Sequence, residues 1–355
     1  MSVTIVLSLV QDFAIAAPIV RTAGERDVLL LVAERLANTP GAMATVARLA
    51  QGREHTVFAN TAEAIVALNH RAGLVLFASE SRSVHHRPSH ALAAALPGRF
   101  VSATLQHGYE CLGFLHNAAH EASRQDAGFA TDIVASWFDR ARMPAIPPVD
   151  QAKHFQSGST LFLDDAPHNW LASLIANAPA PPPHPGPILV CENLQSVRLR
   201  GAPAAAFLDE LATFAKRRPV TLRPHPAGAF AKGEAEPPAG VSLDPRPIED
   251  ADLEQYAAAL SPPSTVLFDL IRRDVPVAIW EDPYGLVDSR HYRGLPHVSG
   301  VDDWHAFFDQ PPSTDGQRAF IRALGFPADT PARFETLLAL GDDVAASGNL
   351  AQNLL

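Results

Sequence analysis

The segment Arg223-Pro224-His225-Pro226 sets a guanidinium and an imidazole among prolines. Proline fixes its own φ and pushes the residue before it toward extended backbone. His225 therefore leaves the apolar run that precedes it at a set angle. An imidazole held this way can hydrogen-bond a phosphate oxygen or, when protonated, neutralise it. Arg223 can add a bidentate contact. Farther along comes Ser261-Pro262-Pro263-Ser264-Thr265, with Asp269 five residues after Ser264. Proline is tolerated in a first helical turn, where N–H groups have no partner within the helix. Ser261, Ser264 and Thr265 can either cap such a helix or join its free N–H groups in holding phosphate. A surface turn and a plain N-cap are the bland readings of these two stretches.

In the first half, Leu105-Gln106-His107-Gly108 ends another apolar run. A neutral histidine suits removal of a hydroxyl proton, and Gly108 lets the backbone turn sharply. Glu80 and Glu110 are the rival carboxylate bases. A histidine bonded into packing is the structural alternative for His107. Ligands sit at the carboxyl ends of strands in open α/β sheets, so two such edges facing each other would make a cleft for a nucleotide-activated substrate. The cluster His85-His86-Arg87-Pro88-Ser89-His90 lacks acidic or cysteine companions and reads as a basic loop rather than a zinc site. Glu281-Asp282-Pro283-Tyr284 could bond a ribose or be a solvated turn. No Gly-x-Gly-x-x-Gly or Gly-x-Ser-x-Gly occurs, which speaks against a dehydrogenase and a serine hydrolase.

Taken together, the His-Pro and Ser-Thr elements resemble the C-terminal domain of a group of GT-B enzymes. That group includes the CDP-glycerol glycerophosphotransferases, bacterial polysialyltransferases and capsule Kdo transferases. The resemblance implies that His225, Ser264 and Thr265 hold the phosphate of a cytidine-linked donor, to which Arg223 and Ser261 could add contacts by their own chemistry. It places Asn193, in the loop after Ile188–Cys191, near the nucleotide, and makes His107 the acceptor-side base. Relatives often carry Pro-Thr or Trp-Arg at the Asn193 loop, a departure that bears on the base. Phe155-Gln-Ser157-Gly158-Ser159 resembles the strand-glycine turn late in the first domain of these enzymes. The expected activity is sugar transfer from a CMP-linked acidic sugar such as Kdo to a bacterial surface glycan of lipopolysaccharide or capsule type. A CDP-glycerol-type glycerophosphotransferase comes second. A UDP-sugar epimerase and a non-catalytic nucleotide-sugar-binding protein on the same scaffold are the alternatives. No metal or other cofactor is expected, since His225 and the helix start could neutralise the leaving phosphate.

These residues need strands and helices to position them. Strands are expected at Val3–Val10, Asp27–Val32, His55–Ala59, Leu74–Ala78, Phe100–Leu105, Asp132–Ser136 and Phe155–Ser157. Helical stretches lie between them, at 14–22, 42–51, 62–70 and 89–96. After residue 187 the cycle restarts with strands at Ile188–Cys191, Val220–Leu222, Val241–Leu243, Ala258–Leu260 and Val277–Trp280. Helices are expected at 204–216, 265–273, 302–308, 318–324 and from Arg333 to the end. Strands alternating with helices imply parallel sheets. Residues 178–187 hold six prolines and favour extended, semi-rigid geometry. The expected fold is α/β, with two doubly wound Rossmann-like domains (GT-B) facing across a cleft. Residues 1–177 form the acceptor-side domain, 178–187 the linker, and 188–355 the nucleotide-donor domain with closing helices.

Composition agrees. A chain of 355 residues is too long for one ordinary core. A net charge of −10 argues against nucleic acid as a partner. Cys111 and Cys191 are too few for a disulfide framework. The start lacks a positive region before Arg21, so Val3–Val10 reads as a strand rather than a secretory signal. The expected setting is the cytoplasm, with peripheral work at the inner membrane face left open. The expected partners are a nucleotide-sugar donor and a glycan or glycolipid acceptor.

Overall fold

A computed structural model of the protein describes residues 2–163, 170–176, 178, 181, 185–193, 199, 201–226 and 228–347. The chain divides into two compact units. The first comprises residues 1–116, 124–169 and 326–355, and the second 117–123 and 170–325.

The first unit holds β1 (Ser2–Leu7), β2 (Asp27–Ala33), β3 (Glu54–Phe58), β4 (Gly73–Phe77), β5 (Phe100–Leu105), β6 (Ile133–Ser136) and β7 (His154–Gln156). They form one parallel sheet in the order β3-β2-β1-β4-β5-β6-β7. Both faces are covered, so the strands read as nearly continuous apolar runs. Val3, Ile5 and Leu7 face one core, into which Phe334, Leu337 and Leu338 also pack. Val6, Leu29 and Leu31 share the other with Ala64, Leu92 and Ala93. Removing each such side chain from water stabilises the fold by about 1.5–3 kcal/mol.

The second unit holds β8 (Ile188–Cys191), β9 (Val220–Arg223), β10 (Val241–Leu243), β11 (Ala258–Ser261), β12 (Val277–Trp280) and β13 (His297–Val298). The order is β10-β9-β8-β11-β12-β13, again parallel. Its core is aromatic. Phe207 and Phe214, on the helix Ala202–Ala215, meet Trp280 and Trp304, the Phe207 and Trp280 rings standing edge-to-face at 5.3 Å. The Trp280 indole N–H, which burial would otherwise strand, donates to Glu210 at 2.9 Å.

Three features depart from the sequence expectation. The closing helix Thr330–Ser347, expected with the second domain, packs on β1, β4 and β5 of the first unit. Gly341 permits this: a Cβ there would lie 2.5 Å from the Leu74 Cβ and 2.9 Å from its backbone nitrogen. The helix Trp170–Ile175 lies before the expected linker yet belongs to the second unit. Its Trp170 indole N–H donates to Asp274 at 3.2 Å, and the Arg318 guanidinium lies over the Trp170 ring. Half of the residues of the expected linker lie outside those described. Finally, β13 is only two residues long, too short to carry a sequence pattern. No helix among the described residues is long and apolar enough to cross a membrane.

Candidate functional site

In the second sheet the strand order reverses between β8 and β11. At such a switch point the loops diverge beyond the carboxyl ends of the strands and leave a ligand crevice. The expected phosphate residues converge on this edge. Glu192 and Asn193 follow β8, Arg223 ends β9 and leads to His225, and Ser261 ends β11 and leads to Ser264 and Thr265. The loops are tied together across strands. The Asn193 side-chain amide donates to the Pro263 carbonyl at 2.8 Å. The Glu192 carboxylate accepts the His225 backbone N–H at 3.1 Å. A Cβ on Gly228 would sit 2.7 Å from the Glu192 Oε1, so a side chain there would push the carboxylate aside.

Arg223 is the pivotal group. It is 9% exposed, and among the described residues its Nη1 has no hydrogen-bond partner. A buried guanidinium nitrogen without an acceptor costs free energy of the order of 1–3 kcal/mol or more. A bound anion would remove that cost. Burial lowers the pKa of His225, so its ring is neutral near pH 7 and can donate one N–H. Burial also raises the Glu192 pKa, against the lowering effect of the His225 N–H.

The serine motif is only partly as expected. Its helix is Val266–Ile271, which starts one residue later than predicted and is short. Thr265 stands at its N-cap without a side-chain cap bond. The Ser264 hydroxyl accepts the Val266 N–H at a long 3.4 Å. Ser261 is fully buried and its hydroxyl donates to the Pro262 carbonyl at 2.7 Å. Glu281 joins a different group, beside β13. Its carboxylate bonds His297 Nδ1 at 2.7 Å and accepts the Ser289 hydroxyl at 3.4 Å.

In the first unit, Gln106 builds the turn that carries His107. Its side-chain amide donates to the Gly108 and Tyr109 carbonyls and its oxygen accepts the Trp137 N–H. The His107 ring lies 3.4 Å from the Cys111 sulfur and edge-to-face with His86 at 5.6 Å. Burial holds its pKa down at about 4, against a hydrogen bond to the Ala78 backbone that acts upward. His86 is itself bonded to the Ser81 hydroxyl at 2.8 Å, and burial, then His107 and His85, hold it at about 3. Glu80, the first of the rival bases, is bonded within its own unit. Its buried carboxylate accepts the Ala130 N–H at 3.0 Å and bonds His90 Nδ1, so its oxygens serve the loop around them. Glu110 is half-buried beside Tyr109. The histidine cluster does not gather on one point, since His86 and His90 have different partners. Among the described residues no group of three or more His, Cys, Asp or Glu is placed to hold a metal ion.

Asp12 was not foreseen. It is fully buried at the β1–β4 switch point and accepts from the Ser8 and Leu9 N–H groups and the Ser79 hydroxyl at 2.7–2.9 Å. Burial pushes its pKa up to about 6, against those three bonds. The available signal was a carboxylate set between an apolar run and an alanine-rich helix.

No protein-family model matches the chain, and no curated protein does. Solved structures do match. S. aureus MnaA in complex with UDP is 10% identical, covers 96% of this chain and 97% of its own, and superposes with a TM-score of 0.57. UDP-GlcNAc 2-epimerase from Neisseria meningitidis bound to UDP-GlcNAc is 9% identical over 96% and 100%, with a TM-score of 0.55. The glycosyltransferase SnogD from Streptomyces nogalater is 14% identical over 95% and 99%, with a TM-score of 0.52. The chain has the GT-B fold. At these identities the likeness concerns the fold.

Proposed function

We propose that the protein is a nucleotide-sugar-dependent enzyme of the GT-B type that transfers the sugar to an acceptor hydroxyl. The unpartnered, buried Nη1 of Arg223, at the switch-point edge of the second sheet, carries this reading. The donor phosphate would lie against Arg223 and His225, with Ser264 and Thr265 at the neighbouring loop. His225, neutral and tied through its backbone to Glu192, would donate its ring N–H to a phosphate oxygen. Preorganised donors of this kind stabilise charge that builds on a leaving phosphate. His107 is the proposed acceptor-side group, because an uncharged imidazole can receive a hydroxyl proton.

For the donor base, the resemblance of the His-Pro and Ser-Thr motifs favours cytidine and a CMP-linked acidic sugar. The UDP and UDP-GlcNAc bound in two structures of the same fold make uridine the competing choice. The same two structures motivate a second reading, rearrangement of a UDP-sugar without an acceptor. A thermal-shift panel of CMP, CDP, UMP, UDP and GDP tests the first part. A true ligand at 100 times its Kd adds about 2.7 kcal/mol of stability, and a panel without any shift overturns the nucleotide assignment. Incubation with CMP-Kdo and with UDP-GlcNAc, with and without glycan acceptor, tests the second. Nucleotide release that requires the acceptor supports transfer, and an acceptor-independent change of the sugar supports the rearrangement.

A further inference from the structure

Beyond β12, the second unit contains a cavity of about 580 Å³. It is distinct in its residues from the strand-edge phosphate group and does not depend on that assignment. The loop that walls it is held by its own side chains. The Asp282 carboxylate accepts the Tyr284 and Val287 N–H groups at 2.9 and 2.6 Å, and Gly285 supplies a left-handed turn at φ +64°. Asp288 accepts the Ala118 and Arg290 N–H groups at 2.7 and 3.1 Å. The cavity wall is therefore formed before any ligand arrives, which lowers the ordering cost of binding.

Its charges are nearly all matched. Glu281 is bonded to His297, and Arg290 is paired with Glu121 and Asp288. Arg293 is the exception: among the described residues it makes no hydrogen bond or ion pair. A guanidinium offers planar, paired donors that match a carboxylate or a phosphate. The Glu281 carboxylate in the same wall has about four acceptor positions, more than His297 and Ser289 use, so it can take hydroxyl groups. Leu286, 63% exposed, and Val287 add apolar surface to the same wall, suited to the C–H face of a sugar ring. The volume falls within the about 300–1,000 Å³ usual for small-molecule pockets.

We propose that this cavity binds an anionic, polyhydroxylated small molecule, a sugar bearing one carboxylate or one phosphate, with Arg293 holding the anion. A neutral sugar would leave Arg293 uncompensated. A bare anion would make no use of the Glu281 carboxylate and would meet its repulsion.

Calorimetric titration of the full chain with D-glucuronate, glucose 6-phosphate, glucose and inorganic phosphate tests this. At least one of the two sugar acids is expected to bind about tenfold or more tightly than both glucose and inorganic phosphate. Glucuronate or glucose 6-phosphate as the better ligand identifies the anion as carboxylate or phosphate. Arg293 is exposed, so Arg293→Ala should fold normally and lose about tenfold or more of that affinity. Arg223→Ala should leave it unchanged. Sugar acids no tighter than glucose, inorganic phosphate as tight as either sugar acid, or full affinity in Arg293→Ala would each overturn the proposal. Binding lost in Arg223→Ala but kept in Arg293→Ala would place the ligand at the strand edge and overturn it as well.

Discussion

The Glu192 carboxylate accepts the His225 backbone N–H at 3.1 Å, so the residue just after β8 fixes the turn that follows β9. The two strands are neighbours in register, Cys191 opposite Arg223. One bond thus sets the exit of the histidine on which the donor-phosphate proposal relies. Glu192→Ala should lower the affinity for the tightest nucleotide of the panel by about tenfold, the usual worth of a charge-assisted bond. Gly228→Ala, whose Cβ would press on Oε1, should lower it in the same direction by less. Titration calorimetry checks both, and unchanged affinity in Glu192→Ala would show that the turn holds itself.

His86 and His107 make stability depend on pH. Both are depressed, to about 3 and about 4, from an unfolded value near 6.5. Between pH 6.5 and about 4 the unfolded chain binds protons that the folded chain refuses, so stability falls as pH drops through that window. Asp12, raised to about 6, acts with the opposite sign between about 4 and 6. The variants separate the two contributions. His86→Gln and His107→Gln should each unfold with a shallower acid dependence than wild type in denaturant titrations from pH 7 to 4. An unaltered slope in both would contradict the burial argument.

Gly341 and Gly316 make a matched pair for packing. Gly341→Ala forces a methyl group against the Leu74 backbone and should cost about 1–3 kcal/mol. Gly316 lies in the helix Asp315–Leu324 with open space around it. Gly316→Ala should be neutral or stabilising by up to about 1 kcal/mol. Chemical denaturation of both variants checks this, and equal effects would refute the close helix–strand approach.

His107 belongs to the first unit and the phosphate group to the second. His107→Ala should therefore leave nucleotide affinity within about twofold of wild type while kcat falls by about 10²–10⁴, the span of a lost acid–base group. His107→Gln should be nearly as slow. If Gln restored most of the rate, His107 would position the acceptor rather than take its proton.

Much of this was legible in the sequence. Strands buried on both faces spell apolar runs such as Val3 to Leu7 and Val28 to Val32, and the site proposed here lies at such carboxyl ends. The His-Pro turn was legible because proline writes its geometry into the chain. What escaped depends on contacts remote in sequence. Nothing local says that the closing helix lies on β4 rather than on the second sheet, since Gly341 and Leu74 are far apart in the chain. Nothing local says that the Ser261 hydroxyl is spent on Pro262, or that Glu80 serves His90 and Ala130. That Arg223 Nη1 finds no hydrogen-bond partner among the described residues is likewise a property of packing, not of residue type.

On this reading Arg223 Nη1 binds the donor phosphate. Titration of wild type and Arg223→Ala with the tightest nucleotide of the panel, and with its parent nucleoside, tests it most directly. The nucleotide should lose about tenfold to a hundredfold in affinity while the nucleoside, which lacks phosphate, loses little. Nucleotide affinity unchanged by the substitution would contradict the account.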